Sequence, residues 1–152
     1  MALVVRVEVV EELPMPPPGT VDALATVVRA ALTAESRDGR WEIVVALVSD
    51  HALRRLHRDF MGLDSETDIM TFPRGSGKQG GDVAISVDRA MDQAGEHGLS
   101  PWEEVRFLVV HGVLHLCGWD DGSDAERAAM LARQTAILAS MDAAQAAGSS
   151  VR

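Results

Sequence analysis

The stretch "RFLVVHGVLHLCGWDD", residues 106–121, predicts a buried helix that carries two histidines. His111 and His115 are four positions apart, so at about 100° per residue they share one face of the helix and their imidazoles can converge. Gly118 then favours a left-handed turn that reverses the chain and brings the residues beyond it back towards the histidines. The pattern H-x-x-x-H-x-x-G-x-x-D predicts a metal site built from one helix and its exit turn.

Two carboxylates follow the turn, and both Asp120 and Asp121 are candidates for completing the site. A fourth protein ligand would close the site, which is typical of structural zinc, whereas three ligands leave a position open for chemistry. Cys117 is two residues past His115 and therefore lies about 200° away around the helix. We expect it to pack in the core rather than to bind the metal.

The elements around this helix predict its place in the fold. Its start is marked by Ser100, Pro101 and Glu103, which form a capping box with proline at the first helical position, and it should run to Cys117. Alternating or continuous apolar runs predict four strands, and longer periodic segments predict further helices. The predicted strands cover residues 3–10, 41–49, 67–73 and 82–87. The other predicted helices cover residues 21–35, 50–60, a segment ending near 96, and 124–145. Residues 74–81 are predicted to form a flexible loop.

This order predicts an α+β fold, in which a small mixed β-sheet is covered by helices. The length of 152 residues favours a single domain over residues 1–146, with 147–152 as a disordered tail. Neither a secretion signal nor a run of about 18 apolar residues for a membrane span is found in the sequence. The single cysteine excludes an internal disulfide, so we expect a reducing cytoplasm.

The net charge of −9 argues against a protein that coats nucleic acid by bulk charge. A small basic site remains compatible with it, because Arg54, Arg55 and Arg58 cluster in one predicted helix. The alternative is that these arginines form an ordinary solvated helix face. His51, His57 and His97 occur in polar helical surroundings, and we expect them at the surface.

The histidine spacing is shared with metzincin-type peptidases, whose signature is H-E-x-x-H-x-x-G-x-x-H. Those enzymes use the glutamate after the first histidine as general base, and the corresponding residue here is Gly112. The ligand spacing is kept and the base is missing. A zincin-like metallopeptidase is therefore the less favoured alternative.

The segment "HGVLHLCGWDD" closely resembles the H-G-x-L-H-L-x-G-x-D-H signature of the YbeY family of bacterial endoribonucleases. Three upstream segments are similar to that family as well, in the same order and spacing over roughly residues 40–140. "LHRDFMGLDSETD" resembles its L-N-x-x-[YF]-R-G-x-D-x-x-T-D stretch, "TDIMTFP" resembles T-D-V-L-S-F-P, and "GDVAIS" resembles G-D-I-x-I-S.

This resemblance implies a small mixed sheet with helices and one zinc ion held by three side chains. On that basis the ligands are His111, His115 and Asp121. It further implies metal-dependent cleavage of single-stranded RNA, maturation of the 3′ end of small-subunit ribosomal RNA, and ribosome quality control. The implied partners are single-stranded or ribosomal RNA and the ribosome or its small subunit.

The chain departs from the family pattern at two positions. Asp121 stands where the family has its third histidine, which lowers the effective positive charge of a bound metal. Two histidines and one carboxylate also resemble non-haem iron sites, so Fe²⁺ or another divalent metal is an alternative to Zn²⁺. Met61 stands where the family has arginine, and its thioether can neither bind phosphate nor stabilise developing charge. Arg58 or Arg74 would have to supply that cation.

The remaining expectations concern catalysis and RNA binding. Asp120 is predicted to orient a ligand or relay a proton, unless it only caps the helix exit. Asp68 and Asp82 are expected to end strands near the site or to serve only in turns. Arg58 is the predicted catalytic cation, and the predicted RNA-binding residues are Arg54, Arg55, Arg58 and Arg74. The alternative from another class is a non-catalytic ribosome-assembly factor whose metal is structural.

Overall fold

The computed structural model describes residues 2–62, 67–75 and 77–150. Residues 63–66 of the "LHRDFMGLDSETD" stretch and residue 76 of the predicted loop lie outside them. In chain order the elements are β1 (Leu3–Glu11), α1 (Val21–Ala34), β2 (Gly39–Val48), α2 (Asp50–Met61), β3 (Ile69–Pro73), β4 (Gln79–Ser86), α3 (Val87–Glu96), α4 (Pro101–Leu116) and α5 (Asp124–Ser150).

The strands form one mixed sheet in the order β1-β2-β4-β3. β2 pairs in parallel with both β1 and β4, while β3 is antiparallel to β4 at the edge of the sheet. The parallel pairs are joined by crossovers that contain helices, as parallel pairing requires. The predicted α+β fold with a small mixed sheet is thereby confirmed.

The two faces of the sheet carry different helices. Trp41, Ile43, Val45 and Leu47 of β2 point into the main core, which is shared with α1 and α4. Side chains alternate along a strand, so the next residue, Val48, points to the other face. There it packs in a smaller apolar cluster with α2; its buried members are Val48, Leu53, Met70 and Ala84. α2 and α4 therefore cover opposite faces of the sheet.

Helix α4 lies at the centre of the main core and contacts α1, α3, α5, β3 and β4. Its predicted start is confirmed, because Ser100 and Glu103 form both hydrogen bonds of the capping box. Gly112 lets the helix approach the sheet closely. A Cβ atom at this position would lie 2.6 Å from Cγ1 of Val83 and 3.1 Å from Cδ1 of Ile69. The glycine that replaces the peptidase base is thus a packing requirement of this fold.

The two predicted boundaries that differ most from the structure are the start of β4 and the end of α5. β4 begins at Gln79, so the last three residues of the predicted loop belong to the strand. Gly80 has φ +119°, and a Cβ there would lie 1.9 Å from the carbonyl oxygen of Glu42. Glycine is therefore required at this position, and because of it the start of the strand resembles a loop in the sequence. Helix α5 continues past residue 145 to Ser150, in keeping with its alanine-rich sequence. Of the predicted tail, residues 151 and 152 lie outside the described residues.

Gly112→Ala should lower the free energy of unfolding by about 1–3 kcal/mol, because overpacking forces the helix away from Val83 and Ile69. Gly95→Ala is the matched control, since Gly95 is also helical and a Cβ there meets nothing within 4 Å. That control should be neutral or stabilise by about 0.5–1 kcal/mol. Urea unfolding of the two variants at equal metal content is the measurement. Equal effects of both substitutions would refute the packing argument.

Candidate metal centre

Three potential ligand atoms converge at the end of α4. The Nε2 atoms of His111 and His115 are 3.0 Å apart. Oδ2 of Asp121 lies 3.3 Å from each of them. The two histidine side chains are 19% and 23% exposed and the aspartate 38%, so the cluster is partly buried but reachable from solvent. These three residues form a group that could hold a metal ion, and they are the three that the sequence pattern predicts.

The donor set fits a divalent transition metal. Imidazole nitrogen and carboxylate oxygen are both ligands of zinc, at about 2.0–2.2 Å, and tetrahedral geometry then places ligand atoms about 3.3 Å apart. The observed separations between the three atoms are 3.0–3.3 Å. The side chains therefore need almost no rearrangement to bind such an ion.

Hydrogen bonds on the far side of each ring select the tautomer that binds metal. Nδ1 of His111 is 3.1 Å from Oε1 of Gln134, and Nδ1 of His115 is 2.9 Å from the carbonyl oxygen of Trp119. Both partners are acceptors, so each Nδ1 donates and each Nε2 keeps its lone pair for the centre. Gln134 is fully buried, and its amide nitrogen donates to the carbonyl oxygen of Phe107, which fixes the orientation of the amide.

The turn after α4 brings Asp121 back to the histidines, as predicted. Gly118 has φ +102°. Its N–H donates to the carbonyl of His115, and the N–H of Trp119 donates to the carbonyl of Leu114, both at 3.0 Å. These two bonds define a Schellman motif, which requires the left-handed conformation at the glycine. The same turn thus supplies a hydrogen-bond acceptor to one histidine and the third potential ligand atom of the cluster.

The exit turn is anchored to the neighbouring helices by polar contacts. Indole Nε1 of Trp119 donates to Glu35 at 2.6 Å, and Arg133 of α5 donates to the other oxygen of the same carboxylate at 2.7 Å. Arg37 donates to the carbonyl of Cys117 at 2.8 Å. Glu35 and Arg37 are 80 or more positions distant from the turn residues that they contact, so sequence patterns gave no indication of these contacts. They hold the turn, and with it the candidate ligand Asp121, against the rest of the protein.

Asp120 and Cys117 are both kept apart from the ligand cluster. The side chain of Asp120 is exposed, and among the described residues no hydrogen bond or ion pair is found for it. Its catalytic role stays a prediction. Cys117 packs against the main core, and burial raises the pKa of its thiol. The core position expected for this cysteine agrees with the structure.

The predicted RNA-binding arginines lie away from the ligands. Arg54, Arg55 and Arg58 are on α2, on the opposite face of the sheet from α4, and line a shallow pocket of about 180 Å³ with His51. Arg58 also pairs with the neighbouring Asp59 at 3.4 Å. Met61, at the end of the same helix, is 60% exposed. The roles proposed for these arginines stay predictions.

Arg74 and Asp82 form a separate group at the edge of the sheet. Arg74 donates to the carbonyl of Glu42 at 3.4 Å and lies 3.7 Å from the carboxylate of Asp82. The expectation that Asp82 ends a strand was wrong, because β4 begins earlier and Asp82 lies within it, with an exposed side chain. The RNA-binding role of Arg74 stays a prediction.

A cavity of about 260 Å³ opens beside the metal ligands. Asp68, His97 and Glu104 line it together with His111 and Asp121. His97 is exposed, as expected, but Nδ1 of its imidazole is also 3.0 Å from Oε2 of Glu104, a carboxylate that is only 1% exposed.

Sequence reasoning missed both Glu104 and Gln134, although a signal for each was present. Glu104 lies two turns before His111 on the same helix face, and Gln134 stands between the buried residues Met130 and Ile137 at core spacing. A polar residue at a position where the helical period requires an apolar one indicates a buried partner.

A mixed sheet, an H-x-x-x-H helix packed on it, and a carboxylate on the exit turn of that helix define the class: an α+β protein with one candidate metal centre among its described residues and with glycine where zincin peptidases have their base. In the described part of the chain no helix combines the length and apolarity needed to cross a membrane.

The chain belongs to the family described as Endoribonuclease YbeY, whose model matches residues 14–142. It is 41% identical over 132 residues to the Endoribonuclease YbeY of Moorella thermoacetica, which covers 78% of this chain and 85% of the relative. The Endoribonuclease YbeY of Chloroflexus aggregans is 39% identical over 125 residues, covering 74% and 82%. The solution structure of a Thermotoga maritima protein is similar, with a TM-score of 0.57, 25% identity, and coverage of 88% and 86%.

Asp121→Ala should lower zinc affinity by more than about 100-fold. Loss of a residue that only supports a ligand costs about 10–100-fold in metal affinity, and loss of a ligand itself should cost more. Asp121→His should keep or strengthen binding, since imidazole replaces carboxylate at the same place. Asp120→Ala is the matched control and should bind like the parent, because that side chain is exposed. Competition with a coloured zinc chelator measures all three. Parent-like affinity in Asp121→Ala would exclude Asp121 as a ligand.

Proposed function

We propose that this chain is a zinc-dependent endoribonuclease that cleaves single-stranded RNA. We further propose that it acts in the cytoplasm, in maturation of the 3′ end of small-subunit ribosomal RNA and in ribosome quality control. The observation that carries the proposal is the convergence of two histidine nitrogens and one carboxylate oxygen, at 3.0–3.3 Å, beside a cavity whose lining includes His111 and Asp121. Membership of the YbeY family supplies the reaction class.

The number of ligands supports a catalytic rather than a structural ion. His111, His115 and Asp121 would hold the ion, and three protein ligands leave one position open. When bound, such an ion lowers the pKa of water from about 15.7 towards about 7 and polarises a phosphoryl oxygen. Gln134 and the carbonyl of Trp119 keep the two imidazoles aimed at the centre.

The surroundings of the cavity support a single-stranded substrate. The cavity shares His97, Phe107 and Leu131 with a groove of about 570 Å³ that runs between α4 and α5. Leu131 is 49% exposed, and Leu138 continues the apolar lining. Unpaired bases can lie against apolar and aromatic side chains, whereas bases in a duplex are stacked on one another and are not available.

Two observations favour a second candidate, a non-catalytic factor in ribosome assembly. The arginines of α2 lie on the face of the sheet opposite to the metal centre, so RNA could bind there without reaching the ligands. Met61 also leaves the family's arginine position without a cation. The peptidase alternative is weakened by Gly112, because a glutamate there would collide with Val83.

The test is cleavage of a labelled single-stranded RNA and of the same RNA annealed to its complement. We expect about one zinc per chain by elemental analysis, cleavage of the single strand only, loss of cleavage after chelation, and recovery when zinc is restored. Casein serves as the peptidase substrate and should remain intact. Full zinc content without RNA cleavage would instead support the assembly factor.

Met61→Arg should increase the rate of RNA cleavage at limiting RNA concentration, because it adds a cation at an exposed position three residues after Arg58, where it can bind substrate phosphate. Arg58→Ala should weaken RNA binding and reduce its salt dependence by a slope of about 0.7, the value for one phosphate contact with a single strand. Arg29→Ala removes an exposed arginine from α1 and is the control. The measurements are single-turnover cleavage and binding at several salt concentrations, at equal metal content. If neither variant differs from the parent, the α2 segment is not part of the RNA site.

A further inference from the structure

We infer that His97, oriented by the buried carboxylate of Glu104, is the general acid of this site and donates a proton to the oxygen that leaves phosphorus. The inference rests on the proposed function, because it assigns a step in RNA hydrolysis. It concerns two residues outside the ligand set, on α4 and at the end of α3.

Glu104 makes the arrangement around His97 specific. Its carboxylate is 1% exposed, and its two oxygens lie 3.1 and 3.0 Å from Nδ1 of His97. A buried carboxylate without a partner is strongly unfavourable, so this pairing is required for stability as well as orientation. Because the carboxylate accepts, Nδ1 donates to it, and Nε2 is the ring nitrogen left for a substrate.

A second contact fixes the carboxylate itself. Nε2 of Gln93 donates to Oε1 of Glu104 at 3.2 Å and to Oδ2 of Asp68 at 3.3 Å. The chain His97–Glu104–Gln93–Asp68 thus joins α3, α4 and the segment before β3 along one side of the cavity. Such a connected set holds the imidazole in one orientation.

The position of His97 suits contact with a substrate that reaches the metal ligands. It lines the cavity of about 260 Å³ with His111 and Asp121, and it also lines the larger groove between α4 and α5. Its side chain remains 49% exposed although Nδ1 is occupied. An RNA strand passing from the groove into the cavity would meet this imidazole at the junction.

The surrounding charges favour the protonated form. The pKa of His97 is raised, above all by its hydrogen bond to Glu104; partial burial opposes this, and the charges of Glu104, Glu96 and Asp68 add to it. Glu103 and Arg106 are the other charged groups beside it in the groove, together with Asp142. A general acid is most effective when its pKa lies near the working pH.

The proposed step is a hydrolysis in which all bonds and protons are accounted for. Water attacks phosphorus, the bond from phosphorus to the leaving oxygen breaks, and the Nε2 proton of the imidazolium goes to that oxygen to form a hydroxyl. One proton of the water stays on the new phosphate oxygen and the other passes to solvent, from which His97 is protonated again. The sum is one phosphodiester plus one water giving a phosphomonoester and an alcohol, without any oxidant or further reactant.

The test compares two leaving groups, because an acid matters only where the leaving oxygen is basic. His97→Gln should slow cleavage of single-stranded RNA by about 100-fold or more, the usual contribution of general acid catalysis. Hydrolysis of bis(p-nitrophenyl) phosphate should change by less than about threefold, since nitrophenolate leaves without a proton. Zinc content should be unchanged, because His97 is outside the ligand set. Asp92→Asn, at an exposed position on the same helix, is the matched control and should behave like the parent.

The pH dependence provides an independent readout. The acid form is present below the pKa of His97, so the parent's RNA cleavage should decline as pH rises through that pKa, and His97→Gln should lack this decline. Titration of the zinc-loaded parent by nuclear magnetic resonance should show His97 above about 6.5, the ordinary value for histidine. Glu104→Gln, which keeps the shape and removes the charge, should shift this titration and the decline in rate to lower pH.

Each outcome decides the assignment. Equal losses on both substrates, or no loss on either, would show that His97 is not the acid, as would a pKa of His97 at or below its ordinary value. If the parent itself fails to cleave RNA at full zinc content, the proposed function fails instead. If His97→Gln has a lowered melting temperature, Glu104→Gln becomes the test, because that variant retains the imidazole.

Discussion

The close approach of α4 to β3 and β4 at Gly112 is the constraint on which the rest of the structure depends. With no side chain at this position, the helix settles onto Val83 and Ile69, and the neighbouring residue His111 is directed along the surface of the sheet towards the cavity. His115 follows one turn later on the same face. A Cβ at this position would require the helix or the side chains of Val83 and Ile69 to shift, so the packing of the helix that carries both imidazoles depends on this glycine.

Around that helix, polar groups are arranged in two separate sets. Gln134 and the carbonyl of Trp119 are acceptors that fix the histidines of the metal centre. Glu104 fixes His97 in the same way, and His97 lines the same cavity as His111. In each case a buried or backbone acceptor receives a hydrogen bond from Nδ1, which leaves Nε2 as the ring nitrogen for a metal or a substrate. The chain thus orients three imidazoles in the same way: two are candidate metal ligands and one is the proton donor of the proposed reaction.

The features that could be predicted from the sequence are those formed by residues close to one another in the chain. The capping box at Ser100, the histidine pair, Gly118 and Asp121 all depend on neighbours within one or two helical turns. What it did not reveal depends on tertiary contacts: Gln134 on α5, Glu35 beneath Trp119, and the pairing of His97 with Glu104. Hydrophobic periodicity does not show which face of the sheet a helix covers. It therefore could not place the arginines of α2 on the face opposite to the metal centre.

The anchoring of the exit turn has a consequence for folding. Asp121 lies just beyond Trp119, which is tied through Glu35 to α1 and through Arg133 to α5, while His111 is supported by Gln134 of α5. A ligand that binds only the folded state stabilises it by mass action, by about 4.1 kcal/mol at a thousand times its dissociation constant. Because the centre is completed by contacts from both ends of the chain, occupancy by a metal ion and docking of the terminal helices are thermodynamically linked. The availability of metal in the cell would then regulate the lifetime of the folded chain as well as its chemistry.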